Sequence, residues 1–144
     1  MIWVLAQFIV MGGVVVSWHF PPHYHVVALY WAGLAVALTG VALMVWARRT
    51  LGRSFTMLPR PKAGARLVTD GPFALVRHPI YGGAILFFAG CSLAFSPWGL
   101  AATFVLALLW AGKSRVEERH LAARFPAYAD YRMRVRKRLV PLLY

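Results

Sequence analysis

Two clusters in this chain combine side chains that can do chemistry. The first is Gly71-Pro72-Phe73-Ala74-Leu75-Val76-Arg77-His78-Pro79-Ile80-Tyr81-Gly82-Gly83, where a basic loop runs into an apolar helix. Pro79 falls at a first helical turn, where a missing N–H costs nothing. The free N–H groups of such a turn favour an anion, and Arg77 and His78 reinforce them. Tyr81 and Gly82-Gly83 follow at once, and the glycines let a ligand or another helix come close to the backbone. The second cluster is Lys113-Ser114-Arg115-Val116-Glu117-Glu118-Arg119-His120-Leu121, followed by Phe125, Tyr128 and Tyr131. With only 4 acidic residues in the chain, two adjacent glutamates stand out. Glu117 is four residues from both Lys113 and Leu121, so the three share one helix face. One glutamate can hold a ligand ammonium, and a neighbouring cation can hold a substrate carboxylate or phosphate. Arg77, His78 and Glu118 are read as positioning groups.

The elements that must carry these clusters are apolar. The 144 residues are 60% hydrophobic and 14% charged, well below the roughly 25% charged residues of soluble domains. No Asp, Glu, Lys or Arg occurs before Arg48, and all 16 basic residues lie between Arg48 and Arg77 or between Lys113 and Arg138. Ile2 to Trp18 and Val26 to Ala47 read as transmembrane helices. Ile80 to Ser96 and Pro97 to Gly112 read as a shorter helical hairpin, broken at Ser96-Pro97. The expected fold is therefore all-α: an integral membrane bundle of about four helices, with cytoplasmic helices at its C-terminal end. Residues 1–47 supply two N-terminal spans, and residues 48–144 supply the functional core. Trp3, Trp18, Trp46, Trp98 and Trp110 near the expected ends suit an aromatic belt.

Positive-inside bias places both basic blocks, both termini and the site in the cytoplasm. The formal charge of +12 then reads as topology plus attraction to anionic lipid, not as a nucleic-acid interface. The first segment lacks a basic leader and is read as a span, not a signal peptide. Cys91 is expected to pack in a helix. His19, His23 and His25 are read as interface residues and not as a metal site. Pro59 to Gly64 is expected to be an exposed, irregular loop.

The order Leu-Val-Thr-x-Gly-Pro-Phe, His-Pro-x-Tyr-x-Gly, Glu-Glu-x-x-Leu and Phe-x-x-Tyr-x-x-Tyr resembles the isoprenylcysteine carboxyl methyltransferase family. Phospholipid N-methyltransferases share much of the same pattern. The resemblance covers about Leu51 to Pro141, and the two N-terminal helices match only in being spans. It implies an all-helical membrane methyltransferase that uses S-adenosylmethionine, releases S-adenosylhomocysteine and has no soluble Rossmann-like domain. By the same resemblance Leu67, Val68 and Phe73 line the cofactor site. His78, Pro79, Ile80, Tyr81 and Gly82 surround it, and Glu117 contacts the cofactor. Lys113 stands where relatives acting on prenylated cysteine carry an arginine at the substrate carboxylate. A lysine keeps the charge but lacks the bidentate fork. Phe73 stands where a tyrosine is frequent.

The acceptor is expected to be a lipid-like or prenylated molecule, or a prenylated protein, reached from within the bilayer. A carboxylate acceptor is already ionised. An amine must lose a proton, and His78, His120 or Glu118 would be the bases at hand. Two other readings stand beside this one: an NADPH-dependent sterol-type reductase, which shares Arg-His-x-x-Tyr at a helix entrance, and a small membrane protein without catalysis.

Overall fold

The structure, a computed structural model, describes residues 2–21 and 26–139. Among the described residues five α-helices follow one another: α1 (Ile2–Ser17), α2 (Val27–Leu51), α3 (Pro79–Phe95), α4 (Pro97–Arg124) and α5 (Tyr128–Arg134). Short 3₁₀ turns occur at Gly52–Ser54 and Gly71–Ala74. There is no strand among the described residues, so the all-α expectation holds.

Local sequence explains the boundaries. Arg48 and Arg49 fall in the last turn of α2, where cations complement the helix dipole. Gly71 opens its 3₁₀ turn at φ 56, a left-handed conformation that favours glycine. Ser96 is extended, at φ −159 and ψ 138, and Pro97 then starts a fresh helix. The Ser96-Pro97 break therefore makes two helices, not one kinked rod.

The expected end of the fourth helix at Gly112 is corrected. α4 continues without interruption for 28 residues to Arg124, roughly 42 Å at 1.5 Å per residue. A bilayer core takes about 30 Å, so one rod both traverses apolar surroundings and carries the Lys113–Leu121 cluster beyond them.

α2 and α3 form the tightest pair. Gly33, Ala37 and Gly40 of α2 are buried, as are Gly83, Gly90 and Ala94 of α3. A Cβ on Gly33 would lie 2.5 Å from the Gly90 carbonyl oxygen, and one on Gly40 would collide with the Gly83 carbonyl. Small residues at such spacing let antiparallel backbones touch, the usual means of helix association in lipid. α1 and α3 pack against α4, around a core of Val14, Ala84, Phe88, Leu106 and Trp110.

Helices α2 and α4 are long and apolar enough to cross a membrane, whereas α1 and α3 are apolar but shorter. Only 17% of the most apolar window of α2 and 33% of that of α4 is buried, unlike the central helix of a soluble core. Ile9, Trp31, Leu38, Phe104 and Leu108 all point outward. This is the surface of a helical membrane protein. Cys91 is partly buried in α3 and forms no disulfide among the described residues. His23 and His25 lie outside the described residues.

Candidate functional site

A cavity of about 410 Å³ opens where α1, α2, the loop after α2, the entrance to α3, and α4 meet. Residues 54–61 and 65–68 form one wall, so the expected loop has an exposed side and a side that faces the cavity. Leu67, Val68 and Phe73 line it, as do Arg77, His78, Pro79, Ile80 and Tyr81 from the α3 entrance and Lys113 and Glu117 from α4. Residues far apart in sequence are thus brought together. Gly82 is not: it is buried beneath the chain's C-terminal segment, and a Cβ there would strike the Leu139 carbonyl.

The two glutamates have separate surroundings. Glu118 turns away from the cavity. Its Oε1 accepts hydrogen bonds from Arg77 Nε at 2.9 Å, His78 Nε2 at 3.2 Å and Arg138 Nε at 3.1 Å. Its Oε2 accepts from Arg138 Nη2 at 3.3 Å. Arg77 Nη1 also donates to the Val135 and Arg136 carbonyls, each at 2.7 Å. The backbone N–H groups of Arg77 and His78 donate to the Lys137 and Arg138 carbonyls at 3.0 and 2.8 Å. Residues 135–138 therefore form a strap that closes over the α3 entrance, with Glu118 as its anchor. Buried charges persist only when paired and hydrogen-bonded, and this cluster meets that condition.

Glu117, the next residue on α4, faces the cavity. It accepts a hydrogen bond from the Tyr81 hydroxyl, and its Oε2 lies 3.5 Å from His78 Nδ1. The imidazole thus stands between two carboxylates. Burial lowers the His78 pKa, but hydrogen bonds and charge from Glu117 and Glu118 outweigh it, and the net shift is upward. His78 stacks on Tyr81 with ring centroids 5.7 Å apart, and Tyr81 stacks on Trp110 at 5.6 Å.

Lys113 is 1% exposed. Its Nζ donates to Gln7 Oε1 at 2.7 Å and to the Met57 carbonyl at 3.1 Å. It also lies 5.3 Å from the Tyr81 ring centroid, a cation–π distance. No carboxylate among the described residues forms an ion pair with it.

Sequence reasoning missed Gln7 and the strap, and placed Tyr128 in the second cluster without giving it a role. Gln7 is the chain's only Asn or Gln and stands in a charge-free apolar helix, which was the available signal. Tyr131 donates to the Phe73 carbonyl at 2.7 Å. Tyr128 is 2% exposed, lines the cavity, and its hydroxyl has no hydrogen-bond partner among the described residues. Burial raises both phenols above their ordinary value of 10.0, with Glu118 adding to the effect. His120 is not a cavity residue; its Nδ1 lies 2.8 Å from the Val116 carbonyl. No group of metal-ligating side chains occurs among the described residues.

Comparison with known proteins supplies the context for this geometry. A cobalt-zinc-cadmium resistance protein, CzcN, from Cupriavidus metallidurans is 37% identical over 106 residues. The aligned part is 70% of this chain and 46% of that protein, so the chain spans about half the length of the curated relative it matches. The sequence profile of the phospholipid methyltransferases matches residues 28–127, which include the α2–α3 pair, the α3 entrance and both glutamates. The chain belongs to the phospholipid methyltransferase family.

Proposed function

We propose that the chain is a multi-pass membrane methyltransferase that uses S-adenosylmethionine and methylates a lipid-like acceptor carrying an anionic oxygen group. The observation that carries this reading is the division between the two glutamates. Glu118 is consumed by Arg77, His78 and Arg138, whereas Glu117 lines the cavity beside aromatic rings. A cavity of about 410 Å³ is within the roughly 300–1,000 Å³ of small-molecule sites.

The residues present fit the cofactor. Glu117 would hold its ammonium, and Tyr81, hydrogen-bonded to Glu117, offers a π-face. When bound, S-adenosylmethionine supplies a methyl group on a sulfonium, open to in-line displacement. The protein's part is alignment and exclusion of water. Loop residues 54–61 and the strap would cover the site on the basic side, where positive-inside bias places the cytoplasm.

The polar groups favour a carboxylate acceptor over an amine. Among the described residues the Lys113 ammonium hydrogen-bonds only to neutral oxygens, so it favours an anion over a second ammonium. His78 stands between two carboxylates whose hydrogen bonds and charge raise its pKa, and Glu118 is occupied by Arg77 and Arg138. His120 is outside the cavity. None of these groups is a ready base, and an ionised carboxylate requires none. The family's name favours the second reading, transfer to a phospholipid amine, in which Lys113 would meet the lipid phosphate. The family match also supports methyl transfer over the reductase and non-catalytic alternatives.

Calorimetry in detergent tests the cofactor: S-adenosylhomocysteine should bind the wild type and lose affinity in Glu117→Ala. Absence of binding to folded wild type would overturn the reading. Transfer of labelled methyl to a prenylcysteine analogue, compared with phosphatidylethanolamine, then tests the acceptor; the carboxylate should prevail.

A further inference from the structure

Gln7 is 8% exposed, on a helix without a charged residue. Its Oε1 accepts a hydrogen bond from Lys113 Nζ at 2.7 Å and stands 3.5 Å from Trp110 Nε1. An ammonium and an indole N–H only donate, so the amide has one orientation: oxygen toward them, Nε2 away. Nε2 forms no hydrogen bond among the described residues. Among those residues the Tyr128 hydroxyl is the one wholly enclosed side-chain nitrogen or oxygen without a partner, so the Gln7 nitrogen has open space beside it. The side chain lines the cavity, and an amide N–H left without an acceptor in apolar surroundings is costly. A ligand in the cavity can supply that acceptor.

The neighbouring groups indicate which ligand. Lys113 is 1% exposed, so its charge acts on the cavity while little of its surface is open to contact. A lysine also lacks the fork that matches two carboxylate oxygens. The amide extends its reach: Lys113 draws electron density from Oε1 and so strengthens the Nε2 donors, as linked hydrogen bonds do. Beyond Gln7 the wall turns apolar, with Phe8 and Met11 on α1 and Met44 on α2. An anionic head on an apolar tail has the same order. Glu117, about one turn further along α4, repels an anion and keeps the two ends of the cavity distinct.

We propose that Gln7 binds the acceptor, its Nε2 donating to one carboxylate oxygen and leaving the other uncovered, while Lys113 holds the amide in place and supplies the attracting charge. The inference rests on the carboxylate-acceptor reading given above. It makes Gln7 a specificity-determining residue, and one that lies outside residues 28–127, which the family profile matches.

Gln7→Glu separates contact from support, because glutamate still accepts from Lys113 but offers no N–H and repels a carboxylate. In labelled-methyl transfer the KM for N-acetyl-S-farnesylcysteine should rise about tenfold or more, the worth of one hydrogen bond to a charged group. Inhibition by the decarboxylated analogue, N-acetyl-S-farnesylcysteamine, should not change, nor should affinity for S-adenosylhomocysteine. An unchanged KM would mean that the amide serves Lys113 alone, and would overturn the proposal. So would an equal loss for both analogues, which would place the effect on the tail, or a fall in S-adenosylhomocysteine affinity, which would place Gln7 at the cofactor. Gln7→Met, of like length and without an N–H, has the same expected and refuting results should the glutamate variant not fold. Wild type that binds S-adenosylhomocysteine but does not methylate N-acetyl-S-farnesylcysteine would instead overturn the carboxylate reading, and this inference with it.

Discussion

Exchanging each neighbouring glutamate for glutamine should produce opposite defects. Glu118 is 6% exposed and takes four hydrogen bonds from three cationic side chains. Glutamine keeps one acceptor oxygen and turns an NH₂ group toward donors. It also removes the charge that compensates Arg77 and His78, which are 7% and 8% exposed. Hydrogen bonds to charged groups contribute about 1.5–3 kcal/mol each, and breaking a buried ion pair costs about 3–5 kcal/mol. The Arg138 contribution is smaller because its side chain is 19% exposed. Glu118→Gln should therefore destabilise the protein by about 3–5 kcal/mol, a large share of the roughly 5–15 kcal/mol that holds a typical domain. Glu117→Gln keeps an acceptor for Tyr81 and should cost about 1 kcal/mol or less, while S-adenosylhomocysteine affinity falls at least tenfold. Thermal unfolding and calorimetry in the same detergent read both effects. Equal stability of the two variants, or a binding loss in Glu118→Gln without a stability loss, would refute the assigned division of roles.

Other substitutions probe other parts of the fold. Gly40→Ala places a methyl group against the Gly83 carbonyl and 2.5 Å from Phe87 N; it should cost about 1–3 kcal/mol by forcing α2 and α3 apart, measured by thermal unfolding. The raised His78 pKa stabilises the fold fully below its ordinary value of 6.5, and that contribution is lost as pH rises through the higher folded value. Melting temperature should therefore decline above pH 6.5 in the wild type and do so less steeply in His78→Gln. Gln7→Leu removes the side-chain partner of Lys113; the acceptor KM should rise at least about tenfold, since a charged hydrogen bond contributes about 1.5–3 kcal/mol, with cofactor affinity unchanged in calorimetry.

Much of the fold could be read from periodicity and charge alone. The Ser96-Pro97 break marked two helices because proline fits a first turn and not an interior. The long charge-free segments marked α1 and α2. The continuity of α4 was less legible: Gly112-Lys113 resembles an exit from the membrane, but neither residue breaks a helix, and packing carries the rod onward. In the site, the sequence exposed most of the cavity-lining polar residues as motifs, yet could not tell the two glutamates apart. Adjacent helical residues point about 100° apart, and only the bundle decides which one meets the cavity. The strap was invisible for a different reason. Arg136, Lys137 and Arg138 look like any solvated basic tail, and the bonds that distinguish them are made largely by main-chain carbonyls, which carry no sequence signature.

The strap also sets an order of events during biosynthesis. Arg77 and His78 emerge from the ribosome long before Arg138, and their carbonyl partners in the strap follow only after α4 and α5. α2 and α3, paired through their glycines, can settle in the bilayer while the Glu118 cluster still lacks one of its cations. A nascent chain halted before the strap would retain its apolar helices but leave Arg77 without two carbonyl acceptors. Such a product would insert yet hold a poorly satisfied charge at the entrance to α3. Correct membrane insertion and a completed α3 entrance are thus separate milestones, and synthesis of the strap decides the second.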